Sequence, residues 1–239
     1  MFRYLLLLFC FIYSSNLNSQ TGKVVYKKEM NLLFIKEGDK SKEAVQYKKF
    51  ANRINSDLEN VEYSLIFNDT TSLFKRNNSL KLDNKSINFA AGFGGGKGVY
   101  YTNNKTGLAL QQADAFGELF LIQSHLNDFE WELTKEEKII NDKRCYKAIL
   151  KNDKNPNRKF DTFAWFCPEI PSHFGPIGYG NLPGLIMELH LNKGYSFYAI
   201  KIILNEGDTK IKQPTKGIKV TSEELEEIGK ELIDKKRKG

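Results

Sequence analysis

The chain has 239 residues, of which 41% are hydrophobic and 27% are charged, so it can bury a core and is not a disordered chain. Its 18 glycines, 6 prolines and 3 cysteines exclude collagen-like and disulfide-dense scaffolds. The net charge of +7 comes from lysines spread along the chain, which indicates a basic surface and no nucleic-acid partner. Aromatic residues, at 13%, favour strands over a helix bundle.

The first 19 residues have the layout of a secretory signal peptide. Arg3 supplies the positive charge, residues 4–13 form a short apolar run, and Ser19 places a small residue at the cleavage position. Cys10 is disfavoured as a lipidation site because the bulky Phe9 precedes it. We therefore expect a signal peptide over 1–19, a single mature domain over 20–239 with no transmembrane helix, and export to the periplasm or an outer-membrane-associated location.

The first half of the mature chain mixes strand patterns with one helix pattern. Apolar residues recur at three- and four-residue spacing from Ala44 to Leu58 and predict an amphipathic helix. Residues 77–88 are polar and predict a loop. Residues 92–98 contain five glycines around Phe93 and Lys97, but their spacing fails the requirements of a phosphate-binding loop, so we interpret them as a flexible loop. Short β-type runs predict strands over residues 23–34, 61–68, 72–76, 99–102, 108–112 and 118–123.

The second half is a succession of strand patterns closed by a helix. Strands are predicted over residues 129–133, 138–140, 145–151, 160–167, 185–191 and 195–204. Thr221 and Glu224 form a capping-box pair at the start of a C-terminal helix pattern. Consecutive strands with short turns indicate a meander, so we predict a mainly β (α+β) fold. The expected architecture is a curved antiparallel sheet or half-open barrel with one internal helix and a C-terminal helix.

Five short motifs between residues 131 and 186 follow one another in a distinctive order. They are a tryptophan, a Cys-x-Lys-Ala element, an Ala-Trp pair, a Pro and Gly-Pro turn, and a closing Leu-Pro-Gly-Leu-Ile run. Their residues are Trp131, Cys145, Lys147, Ala148, Ala164, Trp165, Pro171, Gly175, Pro176, Leu182, Pro183, Gly184, Leu185 and Ile186. This arrangement resembles the GLPGLI family of exported proteins from Bacteroidetes, with Asn181 in place of the first glycine. The resemblance implies no assigned biochemical role.

The residues of the closing motif indicate architecture and not chemistry. Pro183 fixes its own φ angle, Gly184 can adopt backbone conformations that other residues avoid, and the apolar flanks anchor the turn in a core. Asn181 tolerates a left-handed backbone if the position requires one. Trp131 and Trp165 are interpreted chiefly as core or pocket-wall residues, with ligand contact as the alternative.

Cys145 and Cys167 are the two cysteines that remain after export. In an oxidising compartment such a pair predicts one disulfide. If the two strands form a simple hairpin around Asn155-Pro156, Cys145 faces a position near Cys167 at its open end. Two separately buried thiols are the alternative interpretation.

Few residues qualify for chemistry. Cys167 with His173 lacks the context of a cysteine hydrolase, and no nucleophile elbow is present. Glu188 and His190 point to the same side of a predicted strand, as two metal ligands would, with His173 as a third candidate. We expect no catalytic residue, cofactor or metal.

Two hypotheses remain open. One is a non-catalytic binding, carrier or accessory protein of the envelope whose partner is a small apolar ligand, a peptide or an envelope protein. The other is an envelope enzyme or metal-binding protein that uses Cys167, His173, Glu188 or His190. The two differ in whether these four side chains converge in a pocket.

Overall fold

The computed structural model describes residues 21–33, 35–77, 85–126, 129–151, 160–192, 194–205 and 210–238. The expected signal peptide lies outside these residues. The strands of the described parts are β1 Gly22–Met30, β2 Tyr63–Phe67, β3 Thr71–Arg76, β4 Val99–Asn103, β5 Leu108–Ala115, β6 Glu118–His125, β7 Trp131–Ile140, β8 Lys143–Leu150, β9 Phe163–Cys167, β10 Leu185–Leu191, β11 Tyr195–Leu204 and β12 Ile218–Thr221. The helices are α1 Lys42–Leu58, α2 Lys85–Gly92 and α3 Ser222–Lys238, with a 3₁₀ turn at Pro176–Gly178.

In the described chain these strands form one curved, open sheet of twelve strands in the order β12-β6-β5-β4-β3-β2-β1-β11-β10-β9-β8-β7. Strands β1 to β6 are consecutive antiparallel neighbours, and so are β7 to β11. The two meanders join through β1 and β11, paired from Gly22 opposite Leu204 to Met30 opposite Tyr195. Strand β12 adds to the β6 edge in parallel orientation. The predicted mainly β fold with a curved antiparallel sheet is confirmed.

Two local predictions need correction, and one strand was not predicted. The segment predicted as a loop contains a second internal helix, α2, which buries the small side chains of Ala90 and Ala91. The two short strands predicted between residues 129 and 140 form one strand, β7, which is irregular between Leu133 and Glu137. Strand β12 was not predicted, because its four residues carry little periodicity of their own.

The structure confirms the predicted internal helix, α1, and the predicted start of the C-terminal helix, α3. The Ser41 side chain accepts a hydrogen bond from the Ala44 amide and caps α1, whose buried stripe includes Ile54 and Leu58. The Thr221 amide donates to Glu224 Oε2 at 2.7 Å, and the Glu224 amide donates to Thr221 Oγ1 at 3.2 Å. This reciprocal pair is the predicted capping box. No helix in the described part of the chain is both long enough and apolar enough to cross a membrane.

The core on one face of the sheet is aromatic. Phe74 stacks on Tyr63 with ring centroids 5.6 Å apart and meets Phe197 edge-on at 5.6 Å. Tyr26 and Tyr100 complete the cluster at 6.0 and 6.1 Å from Phe74. These rings pack against one another in the core, so the protein's own side chains occupy this face of the sheet.

Candidate functional site

A hydrogen-bonded row of polar side chains, the polar chain, lies on the face of the sheet opposite the aromatic core. Its members are Asn31, Ser196, His190, Glu188 and Lys138. Residues alternate between the two faces of a strand, so Phe197 points into the core while Ser196 points to the other side. The register places His190 of β10 directly opposite Ser196 of β11. Glu188 lies two residues before His190 on the same face, as its position in the sequence predicted.

The side chains of this polar chain are linked by short hydrogen bonds. Asn31 Nδ2 donates to Ser196 Oγ at 2.7 Å, and Ser196 Oγ lies 2.8 Å from His190 Nδ1. His190 Nε2 lies 2.9 Å from Glu188 Oε2, which also accepts from Lys138 Nζ at 2.7 Å. Because an ionised carboxylate only accepts hydrogen bonds, His190 donates its Nε2–H to Glu188.

Packing holds this polar chain in place. The His190 ring stacks on Phe163 with centroids 4.4 Å apart, and Tyr198 meets it edge-on at 5.4 Å. Burial would raise the pKa of Glu188, but hydrogen bonds from His190 and Lys138 and their charges lower it overall. The carboxylate is therefore ionised and serves as a fixed acceptor between two strands.

The hairpin of β7 and β8 curls over this face. At its tip the Asn141 side chain donates to the Ala199 carbonyl of β11 at 3.1 Å. Lys138 of the same hairpin lies over the Trp165 ring at 4.4 Å and reaches Glu188. Ser196 has no exposed surface, and His190 is 6% exposed. The Ser196, His190 and Glu188 side chains are hydrogen-bonded in the order of a hydrolase catalytic triad. Because Ser196 is fully buried, its hydroxyl is not accessible to a substrate.

The four residues proposed for chemistry do not converge. Glu188 and His190 are in contact, whereas Cys167 is a core residue and His173 Nδ1 bonds the Leu182 carbonyl at 2.8 Å. In the parts of the chain that the structure describes, no three His, Cys, Asp or Glu side chains are grouped so as to hold a metal ion.

Cys145 and Cys167 are neighbours across β8 and β9. Tyr146 pairs with Phe166, so one further step of the antiparallel register places the two cysteines side by side. Both are buried, free thiols in this structure. Burial, together with the adjacent Cys167 and the charge of Glu188, raises the pKa of Cys145 to about 12. The thiol is therefore neutral at physiological pH, and the disulfide stays a prediction.

The residues of the closing motif form a tightly packed turn. The backbone of Gly184 has φ of +157°, and an added Cβ would lie 2.3 Å from the Cys167 carbonyl oxygen. Leu182, Leu185 and Ile186 are buried. Asn181 has φ of +67°, a left-handed backbone conformation that Asn adopts more readily than most residues.

Other motif residues pack around the same turn. A Cβ on Gly175 would lie 2.7 Å from the Ile186 side chain, so this glycine permits the close approach ahead of Pro176. The Trp131 indole donates to the Gly180 carbonyl at 2.9 Å and is half-buried against the core. Pro171 lies in the same segment, before Gly175. The motif residues thus anchor the long connection from β9 to β10.

The remaining motif residues lie on the strands beside this turn. Ala148 and Ala164 are fully buried opposite each other on β8 and β9. Lys147 lies over the Phe163 ring at 4.9 Å and pairs with Glu136 at 2.9 Å. Pro183 is exposed.

Sequence reasoning missed a buried lysine. Lys28 is 3% exposed, and its ammonium donates towards the carbonyl oxygens of Ala90, Ala91, Phe93 and Gly95. These carbonyls belong to the end of α2 and to the loop of residues 93–98, the glycine loop. Burial lowers the pKa of Lys28 to about 7, whereas the four oxygens favour the charged form. The signal was present, because Lys28 alternates with the apolar Tyr26 and Met30.

Two clefts flank α2. One, of about 400 Å³, lies between α1 and α2 and is lined by Phe50, Arg53, Ile54, Asp57, Lys85, Ser86 and Phe89. The other, of about 490 Å³, lies between α2, the end of β3 and the glycine loop. Both are open to solvent and neither is part of the polar chain, so they are accessible candidates for binding.

Comparison with known proteins gives a partial family match and a fold. Residues 150–188, which include the closing motif, match the family described as "Protein of unknown function (Porph_ging)". The match covers a minority of the chain, and the GLPGLI resemblance stays an expectation. No curated protein matches the chain.

Two solved structures of PNGF-II are similar in fold. The structure in space group P21 is 16% identical with a TM-score of 0.52, and covers 87% of this chain and 33% of that one. The C2 structure is 16% identical with a TM-score of 0.53, and covers 87% of this chain and 32% of that one. The chain therefore spans about a third of the length of PNGF-II.

Proposed function

We propose that this protein is an exported, non-catalytic binding or accessory protein of the cell envelope. We further propose that it binds apolar side chains of a peptide on an aromatic surface formed by α1, α2 and the residue that follows α2. This surface consists of Phe50, Phe89 and Phe93. The export and the location rest on the signal-peptide pattern of residues 1–19.

The aromatic surface is the observation that carries the proposal. Phe50, Phe89 and Phe93 are 37%, 55% and 40% exposed. Among the described residues one further aromatic side chain, Phe116, is exposed, and it lies in the turn between β5 and β6 beside Gly229 of α3. Phe93 meets Phe50 at 5.8 Å and Phe89 at 5.3 Å between ring centroids, so the three form one patch. Clustered exposed aromatic residues beside a cleft are typical of binding surfaces.

The cleft beside these rings favours a peptide over an uncharged lipid. Arg53, Asp57 and Lys85 place charges of both signs around the apolar floor formed by Ile54. A peptide carries backbone and side-chain polar groups that can pair with such charges, whereas an acyl chain would leave them unsatisfied.

The buried groups argue against catalysis. Ser196 is fully buried, and its hydroxyl is hydrogen-bonded to Asn31 and His190. The pKa of Cys145 is raised to about 12 by burial first of all, so this cysteine provides no thiolate nucleophile. The similarity of the chain to about a third of PNGF-II is consistent with a fold that serves as one part of a larger protein.

Peptide phage display tests the proposal. A random-peptide library is panned against the immobilised mature chain, and the enriched peptides are titrated by calorimetry into the wild type and into Phe89→Ser. We expect peptides rich in aromatic and aliphatic residues whose affinity falls by about tenfold or more in Phe89→Ser, the equivalent of roughly 1.4 kcal/mol.

Ile139→Ser provides the matched control, because Ile139 is an apolar residue that is 64% exposed on β7. It should leave the affinity unchanged. Failure to enrich any peptide, or equal affinity for the wild type and Phe89→Ser, would refute the proposed surface. Circular dichroism of both variants establishes that they fold.

A further inference from the structure

The second cleft beside α2 has a basic lining. Its charged residues are Lys75 and Arg76 at the end of β3 and Lys97 in the glycine loop, and no carboxylate of the described residues lines it. The rest of the lining includes Asn88 of α2 and the backbone of Gly96 and Gly98. Three cations around a cleft of about 490 Å³ give a concentrated positive potential.

Two of these cations are held in place by neighbouring groups. Arg76 Nη1 donates to Asn88 Oδ1 at 2.8 Å, which orients the guanidinium and leaves its other donors for a second acceptor. Lys97 Nζ donates to the Asp114 carbonyl at 2.8 Å, so a neutral oxygen and not a carboxylate accepts from it there. The arginine therefore brings a planar fork of donors, which suits a phosphate group.

The glycine loop has a defined shape because of Lys28. The Phe93 and Gly95 carbonyls point to the Lys28 ammonium, and a planar trans peptide then directs the N–H groups of Gly94 and Gly96 the opposite way. The Gly96 N–H donates to the Tyr100 hydroxyl at 3.2 Å, which also holds the loop in place. A Cβ on Gly98 would lie 2.1 Å from the Gln112 carbonyl oxygen, so a larger residue cannot occupy this position. The loop is thus a packed wall of the cleft, with a buried cation behind it.

We propose that this basic cleft binds a phosphate-bearing small molecule of about the size of a sugar phosphate. The cleft volume falls in the range of small-molecule sites and exceeds what inorganic phosphate alone would fill. The inference is independent of the proposed peptide surface, because Phe89 borders the other cleft and Asn88 borders this one.

Isothermal titration of the mature chain with glucose 6-phosphate tests the site, with glucose as the uncharged comparison. We expect binding of the phosphorylated sugar only, weakened about tenfold in Arg76→Gln and in Lys97→Gln and weakened by added salt. Lys105→Gln is the control, because this exposed lysine lies in the turn between β4 and β5 and does not line the cleft. It should bind as the wild type does.

A second arm separates a soluble ligand from a lipid headgroup. Vesicles of phosphatidylcholine with phosphatidic acid are sedimented with the wild type and with Arg76→Gln. Either binding to the sugar phosphate, or vesicle binding that Arg76→Gln abolishes, supports the cleft and identifies the source of the phosphate. No binding in both arms, or binding that Arg76→Gln and Lys105→Gln alter equally, would overturn the inference.

Discussion

Replacement of Gly184 by alanine tests the architectural role of the closing motif. The added Cβ would lie 2.3 Å from the Cys167 carbonyl oxygen, 2.5 Å from the carbonyl carbon and 2.7 Å from the Pro168 nitrogen. All three atoms belong to the backbone, so no side-chain rotation relieves the overlap, and the end of β9 must move away from the start of β10. The variant should therefore lose stability without loss of any chemical group.

The magnitude follows from two contributions. Backbone strain at a φ of +157° costs roughly 1 to 3 kcal/mol for a residue with a side chain. Forced displacement of a packed neighbour costs roughly a further 1 to 3 kcal/mol. Gly184→Ala should thus lower the free energy of unfolding by roughly 2 to 6 kcal/mol, measured by urea unfolding, with a fall in Tm of roughly 2 to 4 °C per kcal/mol.

Gly117→Ala separates the two contributions. Gly117 also has a positive φ, +88°, but an added Cβ there would meet nothing within 4 Å. This variant carries the backbone strain alone and should cost roughly 1 to 2 kcal/mol. If Gly184→Ala were no less stable than Gly117→Ala, the close approach of β9 would have no energetic weight and the reasoning would be wrong.

Three further predictions concern charge, thiols and export. Because burial lowers the pKa of Lys28 to about 7, the unfolded chain binds more protons than the folded chain above that pH. The free energy of unfolding of the wild type should therefore rise from pH 7 to 9.5 relative to that of Lys28→Met, by at most about 1.4 kcal/mol per pH unit. An equal difference between the two proteins at both pH values would contradict this. Non-reducing peptide mapping of the exported protein should find Cys145 linked to Cys167, and alkylation of both thiols would exclude the disulfide. N-terminal sequencing should begin at Gln20, and a chain beginning at Met1 would show that no cleavage occurs.

Local patterns were sufficient for most of the elements. The stripe from Ala44 to Leu58 predicted α1, and the Thr221–Glu224 pair predicted the start of α3, because caps and periodicity depend on residues within one or two turns. Helix α2 escaped prediction, since its buried surface consists of Ala90 and Ala91, which carry little hydrophobic contrast.

Local sequence patterns predicted only part of the candidate site. Glu188 and His190 were predicted to share a strand face, and they do. Their partners Asn31, Ser196 and Lys138 come from distant parts of the chain, so no local spacing connects them. The separation of Cys167 and His173 likewise depended on the register of the sheet.

The sequence by itself determined the strand-rich composition, the helix boundaries set by caps and the apolar turn around Gly184, because each depends on neighbouring residues. Only the tertiary structure decided that β1 pairs with β11, that the hairpin of β7 and β8 covers the polar chain, and that Lys28 meets the carbonyls after α2. Such contacts join distant parts of the sequence; Lys28 and Gly95, for example, are more than sixty positions apart. Their formation depends on the total area that the whole sheet buries, which no local pattern records.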